Sequence, residues 1–143
     1  MQPEFTTSNS KIIEEQPHPQ YDRSYLLILE QQGTELYDQG MYKKALEKFK
    51  TILEILERDP STDRAFKAQI LDMIAGLYSA LAEYSDSLNY YNQSLEIKLQ
   101  IFRDEIKPLG VSYSYIGHVQ HLMGEYKKSM ETLSKARDIL LND

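Results

Sequence analysis

Gly40-Met41-Tyr42, Ala82-Glu83-Tyr84 and Gly124-Glu125-Tyr126 are three versions of one tripeptide, set 42 residues apart. Around each tyrosine the same side-chain sizes return. Gly33, Ala75 and Gly117 stand upstream, with Leu29, Leu71 and Tyr113 four residues before them. Downstream come Ala45, Ser87 and Ser129, then Phe49, Tyr91 and Leu133, then Ile55, Ile97 and Ile139. A period kept over three copies, with size retained at each position, marks supersecondary units that bury their apolar faces by stacking. The chain is an array, and arrays of this kind bind rather than catalyse.

The units are helical. Leu29, Gln32, Gly33 and Leu36 fall at i, i+3, i+4 and i+7, as do Leu71, Ile74, Ala75 and Tyr78. Second helices carry the stripes Ala45, Leu46, Phe49, Ile52, Leu53, Leu56; Leu88, Tyr91, Leu95, Ile97; and Met130, Leu133, Ala136, Ile139, Leu140. The pattern predicts six helices, near 22–39, 42–58, 62–81, 84–104, 108–123 and 126–141, in an all-α chain of three helix–turn–helix units. The units divide as 22–60, 61–106 and 107–141, after a disordered leader over residues 1–21 that is rich in Pro, Ser, Thr, Gln and Glu. Asp22 or Ser24 is the expected cap of the first helix and Ser61 or Thr62 that of the third, while Pro108 suits the first turn of the fifth. Glycine fits the left-handed residue that ends a helix, and alanine there costs about 1 kcal/mol more, so the turn at Ala82 should be strained. Gly33, Ala75 and Gly117 let the two helices of a unit approach closely.

Composition removes several function classes. With 16 basic and 22 acidic residues the formal charge is -6, which argues against binding nucleic acid through its phosphates. There is no cysteine, hence no disulfide framework and no thiolate metal site. No apolar run reaches the roughly 20 residues of a membrane span, so no membrane insertion and a cytoplasmic or nuclear location are expected. Neither a phosphate-binding glycine loop nor a nucleophile–base arrangement is present, and no enzyme activity and no cofactor are expected. His118 and His121 share a helix face at i, i+3, but no third ligand accompanies them, and no metal is predicted.

These residues resemble the tetratricopeptide repeat, whose pattern asks for small residues at Gly33/Ala45, Ala75/Ser87 and Gly117/Ser129 and for the turn glycine and tyrosine of Gly40-Met41-Tyr42 and Gly124-Glu125-Tyr126. The resemblance implies a right-handed α-solenoid. The common unit is 34 residues; the longer period here, with Ser112-Tyr113-Ser114-Tyr115-Ile116-Gly117, is similar to the long-helix subclass of kinesin light chains and related cargo adaptors. Domains of this family that hold the tail of Hsp70 or Hsp90 use a clamp of lysines, arginine and asparagines. Glu30, Thr34, Met73, Val111 and Tyr115 occupy those positions here, which argues against such a tail as ligand. The paired asparagines of the kinesin-light-chain type are replaced by Glu30-Gln31, Asp72-Met73 and Ser114-Tyr115.

In this family the stripe beside the first-helix core lines a concave groove. That stripe corresponds here to Glu30, Thr34, Tyr37; Asp72, Gly76, Ser79; and Ser114, His118, His121, with Met73 and Tyr115 alongside. The expected function is an adaptor or scaffold that binds a peptide or helix of a partner protein in this groove. Tyr37, Met73 and Tyr115 would anchor it, and Glu30 and Asp72 would take a basic side chain. Two alternatives stand beside it: a small chaperone that masks an amphipathic client segment, and a subunit that forms a homodimer through its C-terminal helix. That helix has Arg137 where the earlier copies have Leu53 and Leu95, a polar change suited to an open end, beside apolar Leu133, Ile139, Leu140 and Leu141.

Overall fold

The computed structural model describes residues 23–59 and 61–142. They form α1 (Arg23–Asp38), α2 (Tyr42–Arg58), α3 (Arg64–Ala80), α4 (Tyr84–Ile101), α5 (Lys107–Leu122) and α6 (Tyr126–Leu141), with no strand among the described residues. Consecutive helices pair and stack as an α-solenoid of three helix–turn–helix units. The leader expected over residues 1–21 and the cap expected of Asp22 lie outside the described residues.

The three repeated turns share one geometry. Gly40, Ala82 and Gly124 take φ of 78°, 62° and 82°, in the left-handed region. In each turn two amides reach back across the helix end. Gly40 N–H donates to the Tyr37 carbonyl and Met41 N–H to that of Leu36, at 2.9 and 2.8 Å. Ala82 and Glu83 repeat the pair on Ser79 and Tyr78, as do Gly124 and Glu125 on His121 and Gln120. This double closure satisfies carbonyls that the helix itself leaves open. Ala82 makes it with a Cβ in a conformation that disfavours one. Replacing Ala82 with glycine should therefore raise stability by about 1 kcal/mol, read as a higher urea midpoint at unchanged slope. A lower midpoint would show that the turn is not strained.

Ser61 and Thr62 do not cap α3. Ser61 binds the Asp59 carboxylate through its amide at 2.9 Å and its hydroxyl at 2.7 Å, and Thr62 Oγ1 donates to the carbonyls of Leu56 and Asp59. Both close the end of α2. The cap is Asp63, whose carboxylate accepts from the amides of Ala65 and Phe66 at 3.0 and 3.3 Å, so α3 starts two residues later than expected. Pro108 does sit in the first turn of α5, and α4 ends at Ile101, three residues short of the predicted 104.

Inside each unit a small residue receives a large one. A Cβ on Gly33 would lie 2.7 Å from the Phe49 ring, and one on Gly117 would lie 2.6 Å from Leu133. In the middle unit Ala75 shares a cluster with Tyr91. Ser129 Oγ ties α6 to α5 by donating to the Gly117 carbonyl at 2.7 Å, and Ser94 ties α4 to α3 through the Ala68 carbonyl at 3.0 Å. A continuous core runs from Leu26 on α1 through Phe49, Ile52, Ile70 and Ile74 to Ile97 on α4. A smaller cluster of Ala75, Tyr91, Ile116 and Val119 joins the second and third units. The expected core stripe of the last helix is corrected. Met130 is 70% exposed and Leu133 41%, and α6 buries only Ser129 and Ala136. The reason is positional: on α2 and α4 the equivalent residues are covered by the next unit, and among the described residues nothing follows α6.

Candidate functional site

A groove of about 400 Å³ crosses the first helices of all three units. Tyr37 comes from α1, Gln69, Asp72, Met73 and Gly76 from α3, Val111 and Tyr115 from α5, and Tyr91 from α4 beneath them. Residues one helical turn apart on α3 fall on one face, which is why residues 69, 72, 73 and 76 open on the same side. Tyr37, Val111 and Tyr115 stay more than two-fifths exposed, so the groove offers bare apolar surface.

Tyr91 is the floor. Its ring is buried and stacks on Tyr115 with centroids 5.3 Å apart and planes 13° apart. Burial pushes its phenol well above the ordinary value, with Asp72, Tyr115 and Tyr37 adding to the rise. The hydroxyl therefore keeps its proton and is a standing hydrogen-bond donor. Gly76 leaves room above it, since a Cβ there would lie 3.5 Å from the Tyr91 hydroxyl.

Below the groove wall Lys98 of α4 joins two units. Its ammonium donates to Asp72 Oδ2 on α3 at 2.6 Å and to Ser112 Oγ on α5 at 2.9 Å. The 42-residue period places Leu56 and Leu140 at the equivalent positions, so this ionic bridge belongs to the middle unit alone. The Asp72 side chain is largely buried, and its Oδ1 has no partner. The expectation that Asp72 takes a partner's basic side chain is corrected accordingly: its charge is already matched within the chain.

Five of the expected groove residues are gathered here, namely Tyr37, Asp72, Met73, Gly76 and Tyr115. Glu30, Thr34, Ser79, Ser114, His118 and His121 do not line the groove. Thr34 and Ser114 turn their hydroxyls back to the carbonyls of Glu30 and Gly110, at 2.9 and 3.2 Å. His121 packs its ring against Tyr126 with centroids 5.2 Å apart, and His118 is exposed. Among the described residues no group of three or more His, Cys, Asp or Glu is placed to hold a metal ion. Gln69 and Tyr91 are lining residues that the sequence did not place in the groove, and Val111 enters the sequence reading only as a clamp position. Gln69 and Val111 sit in register with Leu27 and three residues before Asp72 and Ser114, so the stripe simply extends one turn further toward the helix starts.

Stacked helix pairs presenting one aromatic groove across several units define a helical-repeat binding protein. The model of the tetratricopeptide repeat family matches residues 24–100, more than half of the chain, and the protein belongs to that family. No curated protein matches it by sequence. Among solved structures it is similar to the TPR domain of Arabidopsis FLU, at 17% identity, covering 89% of this chain and 100% of that one with a TM-score of 0.74. It is also similar to the first TPR of Spaghetti (RPAP3), solved with an HSP90 peptide, at 13% identity, 85% and 84% coverage and a TM-score of 0.64. BtubC (BKLC) from P. vanneervenii aligns at 15% identity with a TM-score of 0.69, over 93% of this chain and 54% of that one. This chain thus spans about half of the BtubC chain. At such identities the likeness is one of fold.

Proposed function

We propose that the protein is an adaptor or scaffold that holds a short peptide or helix of a partner protein in the groove between α1, α3 and α5. The observation that carries this reading is the convergence of Tyr37, Val111 and Tyr115, three exposed large side chains from two units, around Met73 and over the Tyr91 phenol. Aromatic rings give large contact area at small entropic cost, and a neutral phenol donor can fix one backbone carbonyl of a bound segment. With Asp72 held by Lys98, the groove favours apolar or aromatic side chains over basic ones. The HSP90 peptide belongs to the Spaghetti domain. Glu30, Thr34, Met73, Val111 and Tyr115 offer no cation for an acidic tail, and we read the ligand as a different one. The 42-residue period supports a place beside the long-unit cargo adaptors. Among the described residues no helix is long and apolar enough to cross a membrane.

Peptides selected on the intact chain from a random phage-displayed library test the reading, with affinities then measured by fluorescence polarisation. Tyr37→Ala and Tyr115→Ala should each weaken the selected peptides roughly tenfold or more, as loss of a central aromatic anchor does. Both side chains are exposed, so the urea midpoint should hardly move. Affinities unchanged in both variants would place binding on another surface.

A further inference from the structure

The two ends of the solenoid differ chemically. Where the second and third units carry Ile74, Leu77 and Leu81 or Ile116, Val119 and Met123, the first unit carries Gln32, Glu35 and Gln39. Those apolar residues of the third unit pack on Leu88 and Tyr91 of the helix before them. On α1 the corresponding face keeps Tyr25 and Ile28 exposed near the helix start and is polar from Gln32 onward. At the other end α6 keeps the apolar half of the same interface. Tyr126, Met130, Leu133 and Leu141 are all exposed, with Arg137 between the last two. Residues 126, 130, 133, 137 and 141 recur at spacings of four, three, four and four, the seam by which two helices pair along their length.

We propose that this seam pairs with α6 of a second copy of the chain, antiparallel across a twofold axis. Head-to-tail stacking is disfavoured, because α1 would press Gln32 and Glu35 onto Met130 and Leu133 and desolvate them without partners. The antiparallel register that centres the seam between Leu133 and Ser134 sets Tyr126 against Leu141 of the second copy, and Met130 against Arg137 of the second copy. The Arg137 stem then lies on a flexible thioether, and its guanidinium reaches Glu131 of the second copy. Lys127, on the flank of the seam, comes beside Asp138 of the second copy, so each α6 carboxylate meets a base. Among the described residues Arg137 bonds only its neighbour Asp138, at 3.4 Å and in solvent, an ion pair that exchanges at little cost. An isologous contact of this kind closes at two copies and does not propagate.

Sedimentation velocity over a concentration series of the intact chain should show a dimer. Met130→Arg sets like charges opposite one another and should raise the dissociation constant about tenfold or more. Adding Arg137→Glu to Met130→Arg should recover pairing, because opposite charges then face each other in exchanged places. Both positions are exposed on the monomer, so thermal melts report folding separately. Tyr37→Ala should leave the dimer untouched, which separates this surface from the groove. A chain monomeric at every concentration overturns the proposal. So does a dimer indifferent to Met130→Arg, or one that the double variant fails to restore.

Discussion

Phe49→Ala should lower the unfolding free energy by about 3–5 kcal/mol, the range for truncating a fully buried aromatic side chain. The Phe49 ring is wholly buried and fills the space over Gly33, where no side chain stands to move into the gap. Ala45 and Ile52 on the same helix are equally buried and held by their own contacts. Little can collapse to refill the hole, so the cost should fall high in that range. Leu133 is the same position one array end later, yet 41% of it remains exposed. Leu133→Ala should cost about 1 kcal/mol or less, as surface truncations do. Urea titrations of the two variants compare one repeat position inside the stack and at its edge. Equal losses would mean that α6 is covered in solution.

The second large effect concerns Lys98. Lys98→Leu copies what the first and third units carry at Leu56 and Leu140, yet it should cost about 2–3 kcal/mol, because it strands the Asp72 carboxylate. One oxygen of that carboxylate is already buried without a partner, and the substitution removes the cation that, among the described residues, pairs with the other. Adding Asp72→Leu should recover most of the loss, since a buried ion pair exchanged for apolar side chains is often close to neutral. A double-mutant cycle on urea unfolding measures the coupling. Independent, additive losses would show that the 2.6 Å contact contributes little to stability.

The period made most of the fold legible. Turn positions, the strain at Ala82 and the close approaches at Gly33 and Gly117 all follow from size conserved at a fixed interval. The α3 cap did not follow, because Ser61, Thr62 and Asp63 are three adjacent residues able to cap, and only the path of the chain decides which one turns forward. Lys98 was hidden for the opposite reason. It breaks the period, and its partners Asp72 and Ser112 lie 26 and 14 residues away with no local pattern joining them. In the groove, the lateral stripe was found but its length was not. Thr34 and Ser114 looked available in sequence because a hydroxyl's bond to the carbonyl four residues back leaves no trace there. Tyr91 was assigned to the core, and it is buried; a tyrosine's two ends allow it to serve the core with its ring and the groove with its hydroxyl.

Burial is distributed unevenly along the array: α3 buries eight residues and α6 two. In a one-dimensional stack a terminal element can open while the rest stays folded. Opening α6 uncovers the α5 face on which Leu133, Ile139 and Leu140 pack but leaves the core shared by the first two units intact, so its amides should exchange through openings less costly than global unfolding. The array should thus loosen from its last described helix inward. A segment that docks on that helix stiffens it as well as touching it, and some of its binding energy is spent on the ordering.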